Sequence, residues 1–148
     1  MKINLSKINL GPDSIFYDLD GTIYQGSIIS KFPDNMRFGA RTGTNAVLMF
    51  SSCGRLTTVP LFDTSSVTNM NNMFNGCNKL TNLGGFKNLG VAINLSASIL
   101  ITEESMVNVF NNLATVTTSQ TLTLGSTNLA KLTDEEKAIA TGKGWTLA

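Results

Sequence analysis

The 148-residue sequence contains no histidine. It therefore lacks the side chain that most often serves as general base near neutral pH and as metal ligand. Charge is scarce as well: charged residues make up 14% of the chain, against roughly 25% in ordinary soluble domains. The formal net charge is only +1. A nucleic-acid surface needs concentrated Lys and Arg to displace counterions, so that partner is excluded, and no electrostatic case exists for a membrane surface. No apolar run approaches the roughly 18 residues of a membrane span, so membrane insertion is not expected. The opening segment, Met1 to Leu10, is too polar for a secretion signal. The only cysteines are Cys53 and Cys77, and two thiols without histidine do not make a zinc site. These absences remove most hydrolase triads and nearly all catalytic zinc chemistry. The expectation is a non-enzyme with no catalytic, cofactor-binding or metal-ligating residue.

What the chain does have is an apolar fraction of 42%, enough to fill the core of one domain. It also has a repeat. Met49-Phe50 matches Met73-Phe74, Cys53 matches Cys77, and Leu56-Thr57 matches Leu80-Thr81. Val59 matches Leu83 and Phe62 matches Phe86, all at an offset of 24 residues. That period lies within the roughly 20–29 residues of leucine-rich repeats. Leu56–Val59 and Leu80–Leu83 read as short strands bounded by turn residues. Between them, Val67, Met70, Met73 and Phe74 form one apolar stripe, which predicts a short helix from about Val67 to Asn75, capped by Ser65 or Ser66 and closed by Gly76. One repeat is then strand, loop, helix and turn, and such units bury their apolar faces only by stacking.

Downstream, Ile93–Leu95, Leu122–Leu124 and Trp145–Leu147 alternate apolar and polar as half-buried strands do. A helix is predicted from an N-cap at Thr102, with Glu103 and Glu104 in its first turn and Met106, Val109, Phe110 and Leu113 buried. A second begins with the capping box Thr133-Asp-Glu-Glu136 and stops at Gly142. Asn128 is expected to hydrogen-bond free backbone groups in the turn after Leu122-x-Leu124. Trp145 is expected to cover the last repeat. Cys53 and Cys77 occupy equivalent places in stacked units about 4.8 Å apart, within disulfide reach, but the expectation is two buried free thiols packed as small hydrophobes.

The stretch Phe62 to Thr81 resembles the repeat of the bacterial surface leucine-rich-repeat family, BspA-like, which is shared with mycoplasma lipoproteins. The tail from Leu122 to Leu147 resembles the ending of such proteins from gut bacteria. The resemblance covers roughly residues 47–148. It implies an α/β fold, a short right-handed leucine-rich-repeat solenoid displayed outside the cell on a bacterial surface, or on phages of those bacteria, in adhesion or recognition. The implied partner is a protein or glycan met by exposed Thr and Asn rows on the strand face. The second function in order is a virion component, with an N-terminal segment docked on a larger assembly; a homo-oligomer is compatible with either. The chain departs from the pattern in having few copies, and Gly84–Ala92 does not fit a full repeat, which argues against a long concave surface.

Residues 1–46 do not share the repeat and read as a β-rich cap or docking segment, with 47–148 as the repeat region. Ile3 and Leu5, Ile8 and Leu10, and Ile15 and Tyr17 mark short strands, and Asp20-Gly21 suits a two-residue hairpin turn. In this segment Ser14-Ile-Phe-Tyr-Asp18-Leu-Asp20-Gly-Thr22 is similar to the first motif of the haloacid-dehalogenase phosphatases. That similarity implies Asp18 as nucleophile, Asp20 as acid/base and a magnesium ion, with Ser51 or Ser52 holding the phosphoryl group. The further acidic pair that magnesium needs is missing. After Asp63 the acids are Glu103, Glu104, Asp134, Glu135 and Glu136, all at helix starts. Phosphatase activity is therefore the third reading.

Overall fold

Side chains that recur every 24 residues can stack only if the chain returns to run parallel to itself at that interval. A computed structural model of the chain describes residues 50–59 and 61–148, together with five strands upstream: β1 (Lys2–Asn4), β2 (Ile15–Tyr17), β3 (Ile23–Gln25), β4 (Arg37–Gly39) and β5 (Thr44–Asn45). Then follow β6 (Thr58–Val59), β7 (Phe62–Asp63), β8 (Val67–Asn69), β9 (Asn82–Leu83), β10 (Phe86–Lys87), β11 (Ile93–Asn94), α1 (Glu103–Asn111), β12 (Gln120–Thr123), α2 (Gly125–Leu129), α3 (Asp134–Thr141) and β13 (Trp145–Leu147). The pairings are β1-β4-β7-β10, β5-β8, β6-β9 and β11-β12-β13, all parallel.

The registers carry the period. Phe62 lies opposite both Phe38 and Phe86, and Val59 lies opposite Leu83. β4 and β5 stand upstream of residue 46 yet pair with β7 and β8 in the same sense, so the ladder runs through the expected boundary. Phe38 is the copy that inspection of the repeat from Met49 onward does not reach. The hairpin of the first segment is present as the antiparallel pair β2–β3, with Tyr17 opposite Ile23. The Asp20-Gly21 turn and Ile8–Leu10 lie outside the described residues.

Inside the stack, like sits on like. Phe50 and Phe74 stack with centroids 5.4 Å apart, and Phe74 meets Phe86 at 6.0 Å. All three are fully buried with Leu56, Met70, Met73 and Phe110, and truncating one such ring costs about 3–5 kcal/mol. A column of small polar groups runs beside them. The Cys77 thiol donates to the Phe50 carbonyl at 3.0 Å, the Ser98 hydroxyl to the Cys77 carbonyl at 2.9 Å, and the Asn128 amide to the Ser98 carbonyl at 3.3 Å. Each return of the chain is thereby tied to the one before it. Both cysteines are buried thiols with no disulfide between them, and burial pushes them up, Cys53 to about 11 and Cys77 to about 12.

The segment from Val67 to Asn75 is not a helix. Val67–Asn69 is strand β8, and a chain of short turns follows. The Asn71 N–H donates to the Asn69 side chain at 2.9 Å, and Asn72 sits at φ +54°. A left-handed residue and an asparagine turn both interrupt helical bonding. The backbone then closes through Met73→Met70, Asn75→Asn72, Cys77→Phe74 and Leu80→Cys77 bonds. The apolar spacing near three comes from these consecutive three-residue turns, which a short window does not distinguish from an α-helical 3.6. Gly76, at φ +79°, lets the backbone pass close to Ser52 of the preceding return; a Cβ there would stand 3.2 Å from the Ser52 Cα.

From residue 102 onward helices replace the turns. Thr102 caps α1 by accepting from the Ser105 N–H, and Ser105, Met106, Val109 and Phe110 face inward. Ser105 accepts the Leu83 N–H at 2.7 Å, so the helix satisfies the open edge of β9. Thr133 and Glu136 form the capping box of α3, and Gly142 ends it. The Trp145 ring is buried and its N–H donates to the Ala114 carbonyl at 2.9 Å.

Candidate functional site

The pairs β5-β8 and β11-β12-β13 form separate ladders. Their separation follows from chain length. Three residues join β7 to β8, whereas five, 88–92, join β10 to β11. The longer link turns at Asn88, which sits at φ +58°. It then engages the next return instead of the previous one. Leu89 bridges to Leu113, the Ala114 N–H donates to the Leu89 carbonyl at 2.8 Å, and the Ala92 N–H donates to the Gln120 side chain at 3.1 Å. β11 pairs forward with β12, Ile93 opposite Leu122, and is not paired with β8.

A groove of about 280 Å³ opens at this gap, lined by Asn71, Asn72, Ala92, Ile93, Asn94, Thr121 and Thr123. A recess of about 40 Å³ beside it is lined by Asn72, Asn75, Asn94, Ser96 and Ala97. Asn72 and Asn94 line both. The Asn94 carboxamide is held from within its own loop: its Oδ1 accepts the Ser96 N–H at 2.9 Å and the Ser96 hydroxyl at 2.7 Å. Neither lining contains an Asp, Glu, Lys or Arg. The site therefore offers amides and hydroxyls, which both donate and accept, beside Ala92, while the Ile93 side chain is buried in the core. It can sort neutral ligands by hydrogen-bond geometry; its lining holds no acid, base or nucleophile poised for covalent chemistry.

The residues singled out from the sequence fall elsewhere. Asp18 and Asp20 of the phosphatase-like motif lie outside the described residues. Ser51 and Ser52 sit in a tight turn where the Ser52 N–H donates to the Asn75 carbonyl at 2.7 Å. Glu103, Glu104 and Asp134–Glu136 begin α1 and α3. There the Thr133 N–H holds the Glu136 carboxyl below its usual value, and the hydrogen bond between the two carboxyls holds Glu103 above its own. Among the described residues, no group of three or more His, Cys, Asp or Glu side chains is placed to hold a metal ion. Among those same residues, no helix is long and apolar enough to cross a membrane.

Of the Thr and Asn rows expected on the strand face, only Asn94, Thr121 and Thr123 come to the groove from strands. Asn71 and Asn72 arrive from the turn that replaced the predicted helix. Two sequence signals pointed there: the run of asparagines from Asn69 to Asn75, and the stretch up to Ala92 that breaks the period. No family model, characterised protein or solved structure matches the chain.

Proposed function

We propose that this chain is a short leucine-rich-repeat solenoid of the bacterial-surface type, working outside the cell as a non-catalytic recognition module. The 24-residue parallel registers support the solenoid reading, as does the buried column of Cys77, Ser98 and Asn128. That column uses the residue types found at the Asn/Cys position of such repeats or a close polar substitute. The observation that carries the functional reading is the uncharged groove between β8 and β11, where the period breaks and amides and hydroxyls are left facing solvent. Linking several copies of a small site raises its avidity well above the affinity of one copy, provided the geometry lets them engage together.

The test is multivalent. The chain, biotinylated and tetramerised, is applied to arrays of glycans and extracellular proteins beside the double variant Thr121→Val, Thr123→Val. Binding that the wild type shows and the variant loses supports recognition through the groove. Binding that the variant retains in full, or no binding by the wild type, overturns it.

A further inference from the structure

The groove's own chemistry narrows the ligand, given the recognition role proposed above. A charged ligand entering it would shed water and find no counter-charge, a loss that unmatched neutral dipoles do not make good. Single-stranded nucleic acid needs stacking platforms and cations, and the lining has neither an aromatic ring nor a basic group. A peptide added as a strand needs a continuous backbone edge. The wall opposite β11 is instead the Asn71–Asn72 turn, and β11 itself is two residues long. Three carboxamides and two hydroxyls remain, set beside Ala92. Vicinal hydroxyls on a saturated ring match that set, because each gives and takes a hydrogen bond, as the carboxamides and hydroxyls of the lining do.

We propose that the groove binds one neutral saccharide ring, with an exocyclic substituent seated in the recess formed by Asn75, Ser96 and Ala97. Size agrees: about 280 Å³ lies just under the roughly 300–1,000 Å³ of clefts for drug-sized ligands, leaving room for a single ring. Asn94 is pre-set for the task. Its oxygen is already taken twice by Ser96, so its two N–H groups are the ones left to offer. A ring of about 15 non-hydrogen atoms at ordinary ligand efficiency binds with a Kd on the order of 1 mM.

The experiment is an NMR titration of the ¹⁵N-labelled full chain with glucose, galactose, mannose and N-acetylglucosamine in separate arms. Sialic acid serves as charged comparator and a blocked Ser-Thr-Asn tripeptide as peptide comparator. At least one neutral sugar is expected to shift the amides of Asn71, Asn72, Asn94, Thr121 and Thr123 saturably, with neither comparator doing so. Asn72→Gly deletes a carboxamide at a position whose φ of +54° suits glycine, so the fold is kept and its melting temperature does not fall. The same change should weaken the sugar about tenfold, the worth of one to two hydrogen bonds. If the tripeptide moves these amides and no sugar does, the saccharide proposal falls while the recognition role stands. If the sugars move only other residues, or Asn72→Gly leaves their affinity intact, the groove is not the saccharide site. If no sugar moves any amide, the proposal also falls, and array binding by the wild type decides recognition separately.

Discussion

Asn128 is fully buried, at 0% exposure, and all of its polar capacity is directed at specific partners. Its amide donates to the carbonyls of Ser98 at 3.3 Å and Leu124 at 3.1 Å. Its oxygen accepts the Lys131 ammonium at 2.9 Å, which also holds the carbonyls of Ile99 at 2.7 Å and Ile101 at 2.8 Å. Asn128→Ala removes one donor from each of two carbonyls, the Ser98 carbonyl keeping the Ile101 N–H, and each neutral bond is worth about 1 kcal/mol net. It also removes one of three acceptors from the ammonium, whose partial solvent access limits that loss to about 1 kcal/mol. The expected destabilisation is about 3 kcal/mol, or a fall in Tm of roughly 6–12 °C for a chain of this size. Urea denaturation reads it as a lower midpoint at an unchanged slope. Asn128→Asp should not rescue, because a carboxylate has no donor for Ser98 and Leu124. In a double-mutant cycle with Lys131→Met, a coupling of about 1 kcal/mol is expected. A loss below about 1 kcal/mol for Asn128→Ala, or wild-type stability in Asn128→Asp, would refute the account of this residue as the tie between returns of the chain.

The thiols predict a pH dependence. Both ionise above their ordinary value of 9.0 in the folded chain, Cys53 at about 11 and Cys77 at about 12, so between those values the unfolded chain binds fewer protons. Their contribution is complete below pH 9 and is lost as pH rises toward 11–12, at up to about 1.4 kcal/mol per thiol per unit. Stability at pH 8 and pH 10 should therefore diverge more in the wild type than in Cys53→Ala, Cys77→Ala. Gly144 sits at φ +89°, and a Cβ there would run into the Val116 carbonyl. Gly144→Ala should cost at least about 2 kcal/mol, measured as a loss of urea midpoint, and a neutral result would mean that residue 144 does not pass against the Val116 carbonyl. The Lys143 ammonium binds the carbonyls of Phe110, Asn111 and Leu113 at 2.9, 2.7 and 3.2 Å. It thereby supplies the cation that α1 lacks in its own last turn. Lys143→Met keeps the stem and should destabilise by about 1–2 kcal/mol, with hydrogen exchange rising first at the end of α1.

What the sequence disclosed were features written in local code. Thr102, and the Thr133–Glu136 box, marked helix starts because capping depends on four consecutive positions and little else. Asn128 was legible because an amide at a fixed step after two leucines has few other uses. The offset of 24 was visible in Phe, Cys and Leu because those side chains meet their own kind in the next return. Ser98 was missed although it fills the corresponding place in the third return. A small hydroxyl reads as a surface residue until its donation to the Cys77 carbonyl is seen. The false helix at Val67–Asn75 had a tertiary cause. β8 is held by pairing with β5, and a window of apolar spacings contains no trace of that partner.

The groove was the least legible feature because it arises from a defect in the repeat. In a regular stack every strand edge is taken up by the next return, and no room remains for a ligand. The longer 88–92 link commits β11 to β12 and leaves the space next to Asn71 and Asn72 open. An opening between ladders forfeits backbone partners, and here side chains take up part of that role. Asn69 binds the Asn71 N–H, Gln120 the Ala92 N–H, and Asn94 the Ser96 N–H. The concentration of amides on this face thus has a structural origin before it has a binding one. Asn94 joins the two roles, since its oxygen holds the Ser96 N–H while the residue lines the groove; Asn69 and Gln120 hold the backbone at the edge of the gap, and Asn71 and Asn72 supply the remaining amides of its lining.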